Sequence, residues 1–166
     1  MTSGHTRSPF YMSRETDALR HFLNAQRAGV PAILNGLTEL QLRTPVLPSG
    51  WTPLGLVQHI GDAEHHWFQE VALGKASPRP RPYDLATAAP AEVMAFYRSQ
   101  CELSDAVLAA TPLDARPLGH HGEDVDDDVT DLRWIVLHMI EETARHLGHL
   151  DTARELLDGS TGLAPR

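Results

Sequence analysis

Cysteine is almost missing from this chain: Cys101 is the single one in 166 residues. No internal disulfide can form, and a structural zinc site built on several thiolates is excluded. Cys101 falls in the helical stretch Tyr97-Arg-Ser-Gln-Cys-Glu-Leu and reads as a small core residue rather than a nucleophile. Long apolar runs are also missing. No stretch approaches the roughly 20 apolar residues of a membrane span, so no membrane partner is expected. Met1 to Met12 is polar and mixed and lacks the apolar segment of a secretion signal, which makes the cytoplasm the expected location. A basic excess is absent as well. Fourteen Lys and Arg face 22 Asp and Glu, a formal charge of -8, and no basic stripe is available for a nucleic acid. Hairpin turn signals and internal repeats are not found.

What is present is a 42% hydrophobic fraction, enough for one core in a chain of single-domain length, and ten histidines. Punctuation marks off four helical segments. The first is expected from Ser13, as N-cap, to about Leu37, with Leu19, Phe22, Gln26, Val30, Ile33 and Leu37 on one face and a kink or weak turn at Gly29 and Pro31. Thr52-Pro53 opens the second, which should reach Leu73 and stop at Gly74. The stretch from Ser77 to Pro82 reads as an extended linker. Pro90 opens a third segment, ended at Thr111-Pro112. A long loop, residues 112–129, carries an acidic run that lacks the ligand spacing of a calcium loop. Thr130 would cap the fourth segment, which runs to about Leu157 and ends at Gly159. Residues 1–12 and 160–166 are expected to be a disordered and a frayed tail around one domain, 13–159. Four amphipathic segments imply an all-α four-helix bundle, with an irregular helical domain as the alternative.

The sharpest chemical feature lies in the fourth segment. Glu142 and His146 are four apart, so they stand one turn apart on one helix face. That face borders the apolar stripe of Ile135, Met139, Leu150 and Ala153. A buried carboxylate is costly unless paired, and a divalent cation would offset that cost. His59, between Leu56 and Ala63 on the second segment, can meet them across a bundle. His59, Glu142 and His146 are therefore the expected metal ligands. Three protein donors leave positions open for water or substrate, as catalytic zinc sites do. Zinc leads the expectation, and nickel, iron and manganese also suit the donors. His138 could be an outer ligand or a supporting donor, and His149 a fourth ligand. Glu64, His65 and His66 are contiguous and cannot all face the core. His66 with Glu70 reads as a solvated pair, and His120 and His121 as solvent-facing.

The blocks Ser49-Gly-Trp-Thr-Pro-Leu-Gly-Leu-Val-Gln-His-Ile, Glu64 with Trp67-Phe68, and Leu132 through Asp151 resemble the DinB-like superfamily, and within it the DUF664 group. The resemblance covers nearly all of residues 13–159. It implies an up-down four-helix bundle, often a homodimer, with a divalent metal on three side chains. Many relatives use three histidines. Here His59 and His146 match the outer two, and Glu142 stands at the middle position. That departure is similar to the mycothiol-dependent maleylpyruvate isomerase branch, whose further C-terminal domain this length cannot hold. The resemblance implies an S-transferase or isomerase acting on a small molecule with a low-molecular-weight thiol such as mycothiol. A metal-dependent hydrolase and a non-catalytic, stress-linked metal-binding bundle are the alternatives.

Overall fold

A computed structural model describes residues 9–75, 84–122 and 128–162, with side chains from residue 14 onward. The expected Ser77–Pro82 linker, most of the acidic run and parts of both tails lie outside the described residues. Those described form an all-helical protein with no strand. None of the helices among the described residues is long and apolar enough to cross a membrane.

Helix α1 is Pro9–Leu34. It begins before the expected Ser13 and stops short of Leu37, because Gly36 adopts a left-handed φ of 85° and turns the chain. The helix end is closed from another element, with Arg154 donating to the carbonyls of Ile33 and Asn35 at 2.5 and 2.7 Å. No break occurs at Gly29 or Pro31, and α1 runs through both. Pro31 cannot donate to the carbonyl four residues back. That carbonyl, on Arg27, accepts instead from the Tyr97 hydroxyl at 3.3 Å, so the missing bond is replaced rather than left open. The buried stripe also differs from the expected one. Leu23, Arg27, Val30 and Leu34 face inward, and Phe22 is 58% exposed. An arginine in that stripe had disguised the true register.

A single-turn helix that the pattern did not signal, α2 (Glu39–Leu42), is held by reciprocal bonds between Thr38 and Gln41. Helix α3 (Pro53–His65) starts where expected, with the Gly55 N–H donating to Thr52 Oγ1 at 3.0 Å. It continues to Ala72 as a π-helical segment, His66–Ala72, where the turn widens by about one residue. Helix α4 is Pro90–Ala110. Helix α5, Leu132–Asp158, is capped by Asp131 rather than Thr130: the Trp134 N–H donates to Asp131 Oδ1 at 2.9 Å, and Gly159 closes the far end. Asp131 also places a negative charge at the positive helix end.

Helix α3 packs mainly on α4, α1 mainly on α5, and α3 also meets α5. Two apolar clusters result, one around Leu23, Phe68, Ile135 and Met139, the other around Val30, Val57, Ile60 and Tyr97.

The loop after α4 docks on the π-helical segment. The Leu118 and Gly119 N–H groups donate to the carbonyls of Ala72 and Val71 at 3.2 and 2.9 Å. A Cβ on Gly119 would stand 2.0 Å from the Glu70 carbonyl oxygen, so only glycine permits this approach. Gly119→Ala should lower stability by about 1–3 kcal/mol and release the loop. Thermal unfolding checks this, with tryptophan emission reporting the departure of the loop's His121, which stacks on Trp67 at 4.4 Å.

Candidate metal centre

Helix α3 brings His59 and α5 brings Glu142 and His146 to one point. His59 Nε2 lies 3.1 Å from His146 Nε2 and 3.1 Å from Glu142 Oε1, and His146 Nε2 lies 2.9 Å from that same oxygen. The His59 and His146 rings meet edge to face, with centroids 4.6 Å apart. Trp51, in the turn before α3, leans on His59 at 5.3 Å. Glu142 and His146 are largely buried, and His59 is the most exposed of the three.

These distances decide what the cluster can do. A hydrogen bond also spans about 2.9–3.1 Å, but a proton joins two atoms, whereas here three atoms meet mutually. A cation with donors at about 2.0–2.2 Å sets neighbouring donors roughly 3 Å apart. Two imidazole nitrogens and a carboxylate oxygen suit zinc and its neighbours, so the donor set fits such an ion.

The surrounding groups support that arrangement. The outer nitrogen of His146, Nδ1, faces His149 Nδ1 at 3.4 Å, which places His149 behind the ligand rather than beside it as a fourth donor. The second oxygen of Glu142 faces Arg145 Nη1 at 3.7 Å. Burial lowers the His146 pKa, although Glu142 opposes this. Burial would raise the Glu142 pKa, but the charge of His146 and hydrogen bonds from both imidazoles outweigh it and hold the carboxyl below its usual range. Both shifts favour the protonation states a metal needs.

A cavity of about 390 Å³ opens beside the triad, its wall shared by His59 and Glu142 with Asp62, Ala63, His66, Trp67, His121 and His138. His138 does not join the three donors. It stacks on Trp134 at 5.3 Å, leans on Trp67 at 4.5 Å, and burial lowers its pKa. His66 and Glu70 are not a solvated pair. They are mostly buried, 2.5 Å apart, and linked to His121 at 2.7 Å. His120 and His121 are exposed, as expected, but His121 also stacks on Trp67 at 4.4 Å. The docked loop and the π-helical segment create these contacts, and neither has a periodic signature. Of the contiguous trio, Glu64 and His65 are buried.

Sequence reasoning also missed a buried ion pair. Arg27 donates through Nε and Nη2 to the two oxygens of Glu64, both at 2.7 Å, and through Nη1 to Asp105 at 2.8 Å. The arginine interrupting the α1 stripe was the available signal. Cys101 lies near this pair. Burial first, then the Glu64 charge, push its thiol up to about 12. The neutral form therefore dominates at physiological pH, and alkylation by iodoacetamide at pH 7.5 should run roughly 10³-fold slower than for a free thiol. Mass-spectrometric labelling kinetics check this.

The family model "Mycothiol-S-transferase" matches residues 18–159, a span holding all three converging side chains. A protein of Bacillus pumilus (strain SAFR-032) named "Putative metal-dependent hydrolase" is 39% identical over 57 residues, 33% of this chain and 33% of that protein. The match thus spans about a third of that relative's length. No solved structure matches. The family match runs from within α1 through α5 and far exceeds half of the sequence: the chain belongs to the mycothiol S-transferase family, a DinB-like group.

Proposed function

We propose that the protein is a metal-dependent enzyme that transfers a low-molecular-weight thiol of the mycothiol type to a small electrophilic substrate, with the metal held by His59, Glu142 and His146. The observation that carries this reading is the mutual approach of one oxygen and two nitrogens to within 3.1 Å at the edge of a cavity sized for a small molecule. A divalent ion bound there, zinc first and nickel, iron or manganese next, lowers the pKa of a coordinated thiol or water. The chain's own part is to hold the donors rigidly. Glu142 and His146 sit one turn apart on α5, and His149 and Arg145 steady them from behind. Trp51 shields the exposed side of His59, and Trp67 gives the cavity an apolar wall.

The same reading takes the helices as an up-down four-helix bundle of the DUF664 group, working as a homodimer. A reducing compartment, the cytoplasm, suits a protein with one unpaired thiol. A second reading, hydrolysis at the same site, draws on the name of the Bacillus pumilus relative and would use metal-activated water.

The test measures metal content in the purified protein and then turnover of mycothiol with chlorodinitrobenzene. About one divalent ion per chain and thiol conjugation well above the uncatalysed rate are expected. Ester hydrolysis without conjugation would move the assignment to the second reading. Metal-free protein with no turnover would remove both.

A further inference from the structure

Beside the three-donor cluster, the same cavity wall holds His66 and His121, which join Glu70 behind it in a second set of titratable side chains with a different geometry. Glu70 Oε2 lies 2.5 Å from His66 Nδ1, and His66 Nε2 lies 2.7 Å from His121 Nδ1. The two contacts leave from opposite edges of the His66 ring, so these groups form a line and cannot converge on one ion. A line of carboxylate, imidazole and imidazole moves protons rather than holding a metal.

We infer that Glu70, His66 and His121 form a proton relay that takes the proton released when the substrate thiol of the proposed reaction ionises. The inference rests on the thiol-transfer reading above for its substrate, but not for its hydrogen-bond pattern. Glu70 accepts from His66 Nδ1–H, which fixes Nε2 as the acceptor. His66 Nε2 then accepts from His121 Nδ1–H. A thiol S–H gives its proton to His121 Nε2. His121 Nδ1–H passes to His66 Nε2, and the charge comes to rest as a His66 imidazolium against the Glu70 carboxylate. The thiolate keeps the S–H electron pair. One proton enters the line, one shift occurs within it, and nothing is oxidised or reduced.

Structure holds the line in place from several sides. The π-helical segment sets His66 and Glu70 on one turn. The loop docked through Gly119 delivers His121, whose ring stacks on Trp67 within 18° of parallel. Other ionisable groups face the line from the packed elements. His65 Nε2 is 3.9 Å from Glu70 Oε1. Asp62 from α3 and His138 and Glu142 from α5 share the cavity wall. In these roles His121 is the catalytic residue, and His66 and Glu70 are positioning residues.

Two measurements decide the matter, both on the protein as purified. The first is long-range proton–nitrogen NMR with histidine labelled in nitrogen-15. His66 is expected to carry its proton on Nδ1, with that resonance shifted downfield, and Glu70→Gln should move it back upfield. A proton on His66 Nε2, or a spectrum unmoved by Glu70→Gln, would overturn the relay. The second is steady-state conjugation of mycothiol to chlorodinitrobenzene across pH. His121→Phe keeps the stack on Trp67 but removes both nitrogens. It should lower kcat about 10²-fold, leave KM within about twofold, keep full metal content and flatten one limb of the pH profile. Glu70→Gln should lose about tenfold, with Glu70→Asp restoring part of it. Wild-type kcat in His121→Phe, beside dead metal-ligand variants, would remove the relay and leave the metal reading intact. A wild-type protein with no thiol turnover would remove the thiol reading, and the relay would then be decided by the NMR pattern alone.

Discussion

His146→Ala protein should emerge from purification with little bound metal and lose thiol-transfer activity by at least about 10³-fold. Coordination free energies of roughly 10–16 kcal/mol are shared among a site's ligands, so losing one of three donors costs several kcal/mol, or roughly 10²–10⁴ in affinity. His59→Ala should behave alike. Glu142→Gln should be at least as damaging, because it removes the anionic charge while keeping the side chain's shape. A hydrogen-bonded cluster without metal predicts a different outcome: three polar atoms crowded within 3.1 Å would relax when one leaves, and stability would be nearly unchanged.

Chelation separates the two cases further. A ligand present at 100 times its Kd stabilises the folded state by about 2.7 kcal/mol, which in a domain of this size is roughly 5–11 °C in Tm. A chelator should lower the wild-type Tm by that amount and leave His146→Ala unmoved. Acid should act in the same direction as the chelator. The imidazoles must be neutral to bind, and burial holds the His146 pKa below its ordinary value of 6.5. Metal should therefore stay bound from alkaline pH to below that value and be released as pH falls further. Elemental analysis after dialysis across pH checks the sign. Release on raising the pH would contradict the assignment.

The three converging residues were legible because each carries a local signature. An i,i+4 pair on an apolar stripe and a histidine on an amphipathic helix can be seen without tertiary contacts. Thr52, Pro53, Pro90 and Gly159 likewise act on their own neighbours, and the helix ends they mark lie where expected. The differences are tertiary in origin. Pro31 looks like a break until Tyr97, 66 positions later, supplies the hydrogen bond that proline cannot. Phe22 has the right spacing for the core, but the face chosen by Leu23 and Val30 includes a charged Arg27, which Glu64 and Asp105 make tolerable. Residues His66, Glu70 and His121 could not be grouped from the sequence. A π-helical turn has no periodic signal, and the close approach at Gly119 depends on a carbonyl from another element.

Arg27→Met should destabilise the fold by about 3–5 kcal/mol, the cost of leaving one member of a buried ion pair unpaired. That corresponds to a fall in Tm of roughly 6–20 °C. Both side chains are nearly inaccessible, at 6% for Arg27 and 0% for Glu64, so solvent cannot screen the stranded carboxylate. Glu64 holds the arginine charged despite its burial, lifting the guanidinium pKa above its already high value, so no accessible pH neutralises the Arg27 side. The pair also lies between the two apolar clusters. Along α1, Arg27 stands between Leu23 and Val30, and along α3 and its π-helical continuation, Glu64 stands between Ile60 and Phe68, the two flanking residues of each falling in different clusters. An apolar replacement of both partners would join those clusters, and buried pairs exchanged in this way are often neutral or stabilising. Arg27→Met with Glu64→Leu should thus recover most of the lost stability, giving a coupling of several kcal/mol in a double-mutant cycle. The double variant removes the clamp that ties α3 to α1 and, through Asp105, to α4. Because α3 carries His59, metal affinity in that variant should fall even as Tm recovers. Recovery of both would show that packing alone sets the His59 position, and a double variant less stable than Arg27→Met would show that the pair is a net source of stability.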